Sequence, residues 1–333
     1  MSVRHIRRGA ALALIALPFL AACGSGEDAP SSSASASSPE SSAGTDPSAG
    51  ASSSAGAGST AGAASPAGAD SSSGLESLEA EFDARIGVSA LDTGSGDVVE
   101  HRADERFGYA SSLKVLAAAE LLQQVPADQR EERVTWTQED VDAAGHSPVT
   151  SEHLDEGLTY PELAEAAVRQ SDNTAMNLML ARIGGPAGLD AALEELGDTT
   201  TEVVNEEPAL NAVEPGGTDD TTSPSAFTAD LDALFDPERT PQVLDPADRE
   251  TLIDWMSGNP TGDTLIRAGA PEDWAVAEKS GGAGGIRNDV AIVTPPDRAP
   301  IVITVLTQRN DPEAEYDDAL VARAAEAVLG EFE

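Results

Sequence analysis

The chain has 333 residues, enough for one large domain or two ordinary ones, and 59 Asp and Glu stand against 19 Lys and Arg, a formal net charge of −40. That balance excludes nucleic acid as a partner, because phosphate backbones are held by clustered Lys and Arg, and it fits solubility or a salty habitat better than a binding surface. A single cysteine excludes disulfides and thiolate metal clusters.

Arg4, Arg7 and Arg8 precede an apolar run from Ala10 to Ala22. The run is too short to span a bilayer and fits the core of a signal peptide over residues 1–22. Leu20-Ala21-Ala22-Cys23-Gly24 resembles a bacterial lipobox, where cleavage precedes a lipid-modified cysteine. The expected location is therefore the outer face of the cytoplasmic membrane, anchored through a lipid on Cys23, with shedding of a fraction left open. An ordinary secretory signal is the alternative, and Arg7-Arg8 matches a twin-arginine signal poorly. From Gly24 to about residue 75 the chain is nearly all Ser, Ala, Gly, Pro and Asp. Such a stretch buries too little apolar surface to offset its ordering entropy, so residues 23–75 read as a lipidated cysteine and a flexible linker. The globular domain is expected over 76–333, without internal repeats.

Within that domain Arg85 to Leu91 alternates as a strand, Gly94-Ser95-Gly96 turns, and Val98 to His101 returns. From Ser111 the period becomes helical through Leu113, Val115, Leu116, Ala119 and Leu122. Thr159-Tyr160-Pro161-Glu162 is a capping box opening a helix to about Gln170. Helices follow from Thr174 to Ile183 and from Pro186 to Leu196, stopped by Gly184-Gly185 and Gly197, and another from Asp245-Pro246 through Trp255. Trp274–Lys279, Asp289–Thr294 and Ile301–Thr307 read as strands, and a last helix spans about Glu313 to Gly330. Strands at both ends with helices between them imply an α/β chain of the α+β type: one antiparallel sheet, a helical lobe, and a cleft between them.

Ser111-Ser112-Leu113-Lys114 puts a hydroxyl and an amine three residues apart on one helix face, close enough for Lys114 to influence the Ser111 proton. Alone, S-x-x-K is common, and a capping Ser with a surface Lys is the plainer reading. Ser171-Asp172-Asn173 follows, and then Lys279-Ser280-Gly281 at the end of a strand. In this order and spacing the three motifs are the signature of penicillin-recognising serine enzymes. Over about 80–333 the chain resembles class A β-lactamases. Arg106-Phe107, Ser147 to Thr150, Ser171 to Asn177 and Ile253 to Met256 also look like family segments. Glu207-Pro208-Ala209-Leu210-Asn211 resembles the E-x-x-L-N segment of the family's Ω loop, with Pro215, Asp220 and Pro224 in register.

The resemblance implies a β-lactamase/transpeptidase-like fold, a five-stranded antiparallel sheet flanked by helices beside an all-helical lobe. It implies hydrolysis of penicillins and cephalosporins through a Ser111 acyl-enzyme, with Lys114 or Glu207 as acylation base and a Glu207-activated water for deacylation. Asn211 would help hold that water. Ser171 would relay a proton to the lactam nitrogen, Asn173 would hold the substrate's side-chain amide, and Lys279 with Ser280, Gly281 and Gly282 would line the site. Ser111 and Gly282 N–H groups would form the oxyanion hole. Arg287 would bind the substrate carboxylate, and His146 falls where the family carries an aromatic gatekeeper; an exposed strand Arg and an ordinary loop His are the plainer readings of those two. No metal or other cofactor is implied, and a monomer is expected. Asn205 stands where the family usually has an Arg paired with Asp220, which implies a more mobile Ω loop that admits bulky cephalosporins and deacylates small penicillins slowly. The alternatives are a D,D-peptidase or transpeptidase-like penicillin-binding protein, which stays acylated, and a non-hydrolytic β-lactam-binding lipoprotein.

Overall fold

The computed structural model describes residues 69–311 and 313–333; the expected signal peptide, Cys23 and the linker up to residue 68 lie outside the described residues. The described residues start with α1 (Ala69–Phe82), then β1 (Ala84–Asp92), β2 (Val98–His101) and the two-residue β3 (Phe107–Gly108). The helical lobe follows: α2 (Lys114–Gln124), β4 (Arg133–Val134), α3 (Gln138–Ala144), β5 (Leu158–Thr159), α4 (Tyr160–Arg169), α5 (Asn173–Ile183) and α6 (Pro186–Leu196). After β6 (Thr221–Thr222) come α7 (Pro224–Phe235), α8 (Pro246–Met256) and α9 (Ile266–Gly269), and β7 (Ala275–Ala283), β8 (Ile286–Thr294), β9 (Ile301–Arg309) and α10 (Asp318–Leu329) close the domain.

The sheet order is β2-β1-β9-β8-β7, antiparallel throughout, so both ends of the domain meet in one sheet as the strand–helix–strand pattern implies. Alternate residues serve two cores. Ala291, Val293, Ile301, Ile303 and Val305 pack on one face with α1 and α10, while Val290, Ile292 and Val302 join the core of the helical lobe. Burial on both faces explains why these strands read as nearly unbroken Val and Ile runs. At the centre of the lobe Lys114 to Ala119 of α2 are all buried, and the helix contacts α4, α5 and α8. Leu113, Leu116 and Leu121 are at most 2 % exposed, each worth about 1.5–3 kcal/mol of burial.

Leu75 and Leu78, three apart on α1, pack into the core beside α10. Two element boundaries differ from those expected. The last helix starts at Asp318 rather than near Glu313: Asp317 caps it by accepting from Ala319 N at 3.0 Å, and Tyr316 N donates back to Gly284 O at 3.2 Å. β7 and β8 run on past Lys279 and begin before Asp289, so Gly281 and Gly282 are strand residues. The helices α3 and α7, not evident in the sequence pattern, are capped by Thr137 and Ser223.

Candidate active site

Ser111 lies in a 3₁₀ turn (Ala110–Leu113) that runs into α2, so its side chain and that of Lys114 eclipse. Ala110, immediately before it, has φ +46, a strained conformation for a residue with a Cβ, and such strain gathers at functional sites. Lys114 is fully buried. Its Nζ donates to Ser111 Oγ at 2.7 Å and lies 2.8 Å from Glu207 Oε1. It also donates to Asn173 Oδ1 at 2.7 Å and to Ser171 O at 2.9 Å. The Ser111 hydroxyl donates to Glu207 Oε1 at 3.3 Å. Burial pushes the Lys114 ammonium below its ordinary pKa, and Glu207 opposes that shift. The serine proton thus faces a lysine and a carboxylate that are joined to each other.

Ser171 and Asn173 are set by the residue between them. Asp172 is completely buried, caps α5 through Ala175 N, and accepts from Val149 N, Thr150 N and Thr150 Oγ1 at 2.8–2.9 Å. Ser171 is left at φ +58. Its hydroxyl oxygen accepts from Lys279 Nζ at 3.2 Å and from Lys114 Nζ at 3.4 Å. With two ammonium groups facing the oxygen, the hydroxyl hydrogen is left to point into the cleft. Asn173 donates an amide N–H to Ala144 O at 2.9 Å and its Oδ1 accepts from Lys114 Nζ, so only one N–H and one lone pair remain for a substrate amide. Its hydrogen bonds go first to holding Lys114.

Lys279 comes from β7, fully buried, with Nζ also 2.6 Å from Ser280 O. Burial and the neighbouring Lys114 depress its pKa strongly, while Asp289 and Glu207 pull the other way. Behind it, Asp289 and Glu278 are both fully buried and both pushed up by burial, and Arg267 reaches Glu278 at 2.5 Å. β7 lies tight against the nucleophile. A Cβ on Gly281 would stand 2.9 Å from Tyr109 O, 3.0 Å from Ser112 N and 3.3 Å from Ser111 N. Only glycine permits this approach.

Glu207 is held at both its backbone and its carboxylate. Asn177 donates to Glu207 O at 2.8 Å and accepts from Glu207 N at 2.9 Å, and Asn211 donates to Glu207 Oε2 at 2.7 Å. Asn177, the last residue of the Ser171–Asn177 segment, has no role assigned from the sequence, though its place one turn after Asn173 on α5 puts it on the same face. The looser Ω loop expected from Asn205 does not match the geometry. Asp220, 2 % exposed, accepts from Asn205 Nδ2 at 2.6 Å, Tyr109 Oη at 2.7 Å, Asn205 N at 3.0 Å and Val204 N at 3.1 Å. Four donors compensate for the missing guanidinium.

A cleft of about 300 Å³ gathers Ser111, His146, Ser171, Asn173, Glu207, Asn211, Ser280, Gly281, Gly282 and Arg287, with Lys114 and Lys279 buried behind its floor. Thr261 and Tyr316 also line it and were not singled out in the sequence. Arg287 pairs with Gly282 across β7 and β8, and a Cβ on Gly282 would come within 3.1 Å of the guanidinium. Asp318 holds Arg287 Nε at 2.7 Å and the Tyr316 ring lies 4.7 Å from its guanidinium carbon, leaving the other nitrogens at the cleft. His146 is exposed at the rim, its Nε2 3.1 Å from Gln170 O.

Comparison with known proteins gives a consistent answer. A family model described as the β-lactamase enzyme family matches residues 71–332. A β-lactamase of Bacillus amyloliquefaciens is 48% identical over 256 residues, covering 77% of this chain and 82% of that protein. The crystal structure of a class A β-lactamase from Clostridium kluyveri DSM 555 superposes with a TM-score of 0.75 at 44% identity, covering 78% of this chain and 98% of the other. The β-lactamase from Streptomyces albus G superposes equally well, with TM-score 0.75, 40% identity and 79% and 99% coverage.

Proposed function

From the premise that this chain belongs to the class A β-lactamase family and is a serine hydrolase of β-lactam antibiotics, we propose that Ser111 is the acylated nucleophile and that Glu207 activates the water that releases the product. The single observation carrying this reading is Glu207 Oε1 at 3.3 Å from Ser111 Oγ and 2.8 Å from Lys114 Nζ. In this scheme the Lys114–Glu207 pair acts as one base. It takes the Ser111 proton as Oγ attacks the lactam carbonyl, whichever partner receives it first. The N–H groups of Ser111 and Gly282 hold the oxyanion, worth about 3 kcal/mol per donor. Ser171, its oxygen facing both lysines, gives its hydrogen to the departing lactam nitrogen. Arg287 binds the substrate carboxylate through the nitrogens Asp318 leaves open, a two-pronged contact suited to a guanidinium. Glu207 and Asn211 then position water on the acyl carbonyl, the step that a transpeptidase lacks. Mass spectrometry of Glu207→Gln after exposure to benzylpenicillin tests the division of labour. One persistent adduct on the Ser111 peptide is expected; an unmodified protein, or an adduct elsewhere, overturns it.

We further propose that the protein is exported as a monomeric lipoprotein held at the outer face of the membrane. The support is the sequence of residues 1–23, in which the only cysteine stands at the expected cleavage point. Labelled palmitate incorporated into the wild type and lost from Cys23→Ala is the expected result, and equal labelling contradicts the anchor.

A further inference from the structure

The face of β8 that packs on the helical lobe breaks its apolar pattern at Asn288. Asn288, Val290 and Ile292 share that face; the two aliphatic residues belong to the core of the lobe, and Asn288 is completely buried beside them. The strand turns polar where it passes the turn that carries Ser111. Asn288 Nδ2 donates to Gly108 O at 2.7 Å and to Tyr109 O at 3.1 Å, and Oδ1 accepts from Thr307 N of β9 at 3.0 Å. Both amide hydrogens are spent on consecutive carbonyls, so none is left for a substrate. Asn288 does not line the cleft, and no step of the hydrolysis scheme uses it. Tyr109 O is also held from within its own turn, by Ser112 N at 3.2 Å and Ser112 Oγ at 2.5 Å. Bonds inside a turn fix its shape but not its place in the domain; the bonds from Asn288 cross to it from the sheet. Gly281, the cross-strand partner of Asn288, lies against the same oxygen, where a Cβ would stand 2.9 Å away. Next in the chain is Ala110 at φ +46, and such strain persists only where the surroundings over-determine it.

We propose that Asn288 is a positioning residue for the nucleophile: by holding Gly108 O and Tyr109 O to β8, it sets the spacing between the Ser111 N–H and the Gly282 N–H. The inference rests on the reading of Ser111 as the acylated nucleophile with those two N–H groups as its oxyanion hole. The two donors come from different elements, the 3₁₀ turn and β7, and both must lie about 2.7–3.1 Å from the oxygen as it becomes an oxyanion. Gly282 follows Gly281, so the Gly281–Asn288 register joins Asn288 to the second donor. Asn288 thereby ties the turn of the first donor to the strand pair that carries the second. A displaced turn leaves Arg287 and Asn173 able to hold the substrate and weakens the contact that forms only as the carbonyl becomes tetrahedral. The loss falls on the acylation rate rather than on substrate binding. Asn288→Asp is the sharpest perturbation, because it keeps the size and sets an acceptor against two carbonyl oxygens. Even protonated, the acid supplies one hydrogen where two are needed.

The test is single-turnover acylation by the full chain in excess over a chromogenic cephalosporin, which separates the maximal acylation rate from the dissociation constant of the non-covalent complex. In Asn288→Asp the acylation rate should fall ~10²-fold, the usual effect of a misplaced oxyanion-hole donor. The dissociation constant should stay within about threefold of the wild type. The inhibition constant of phenylboronic acid, whose adduct with Ser111 is tetrahedral, should rise by a factor close to the loss in acylation rate. Asn288→Ala removes the donors without adding an acceptor; it should lose roughly tenfold in acylation rate and carries the test if Asn288→Asp does not fold. Leu329→Ala, in the core on the far face of the sheet, is the control for stability alone: it should lower Tm and leave the acylation rate unchanged. Wild-type rates in the Asn288 variants, a change confined to the dissociation constant, or an equal loss in Leu329→Ala would each overturn the positioning role. A wild type that gains no adduct on the Ser111 peptide would instead remove the reading on which that role rests, and the role with it.

Discussion

Asp220 is the pin of the segment that carries Glu207, and removing it should cost far more than removing its most obvious partner. Its two oxygens accept from the Tyr109 hydroxyl, the Asn205 amide and the backbone N–H groups of Val204 and Asn205. Asp220→Ala orphans all four donors. A buried unsatisfied donor costs about 1–3 kcal/mol, and water entering the vacated space relieves part of the total, leaving roughly 3–5 kcal/mol. At about 2 °C per kcal/mol for a domain of this size, Tm should fall by roughly 6–10 °C. Asn205→Ala removes one donor and leaves the carboxylate three others, so its cost is about 1 kcal/mol and its Tm loss only ~2 °C. Asn205→Arg, for the same reason, should leave penicillin deacylation little changed. Thermal unfolding followed by circular dichroism, beside single-turnover deacylation rates, gives both quantities. If Asp220→Ala melts with the wild type, or if Asn205→Ala is as damaging as Asp220→Ala, the four-donor account is wrong.

Arg287→Ala should raise KM for carboxylate-bearing lactams ~10–100-fold, the worth of a charge-assisted pair, with a smaller change in kcat; steady-state kinetics showing an unchanged KM would remove Arg287 from substrate binding. Gly281→Ala forces β7 away from the backbone at Ser111 and Ser112 and should lower kcat/KM ~10²-fold in a protein that still folds; near-wild-type kinetics would show that the approach is not needed. Asp230 makes a prediction about pH. Burial and the neighbouring Asp198 push its folded carboxyl up to about 9 against roughly 3.9 in the unfolded chain, so between those values the folded state holds more protons and its stability falls as pH rises. Asp230→Asn escapes that loss: its advantage in urea unfolding should be absent near pH 4, grow toward pH 9 and level off above it. A difference constant across that range would contradict the assignment.

Where local chemistry decides structure, the sequence was readable. Thr159 and Glu162 form the capping box they spell, with Thr159 N to Glu162 Oε2 at 2.8 Å, and Gly184 and Gly197 end their helices in the left-handed conformation. The three motifs are short and local, and the structure brings residues of all three to one cleft and its floor. What escaped is what only tertiary contact creates. Leu75 and Leu78 make a helix of a stretch whose Ser and Gly content reads as linker, because α10 gives them a surface to cover. Tyr316 reaches the cleft only because the turn before α10 hydrogen-bonds back to Gly284. Asp198 and Asp230 are two among fifty-nine acids, and nothing in their sequence neighbourhood marks them as buried. Asn205 alone does not reveal that Asp220 has four donors, because Tyr109 and the backbone N–H groups of Val204 and Asn205 reach it only in the folded chain.

Burst kinetics with a chromogenic cephalosporin, comparing the full wild-type chain with Ser111→Ala and Glu207→Gln, test the central claim most directly. The account predicts sustained turnover in the wild type, no reaction in Ser111→Ala, and in Glu207→Gln one equivalent released before a slow phase reduced ~10²–10⁴-fold, the usual worth of a general base. A wild type that stops after one equivalent, or a Glu207→Gln that turns over without pause, would contradict it.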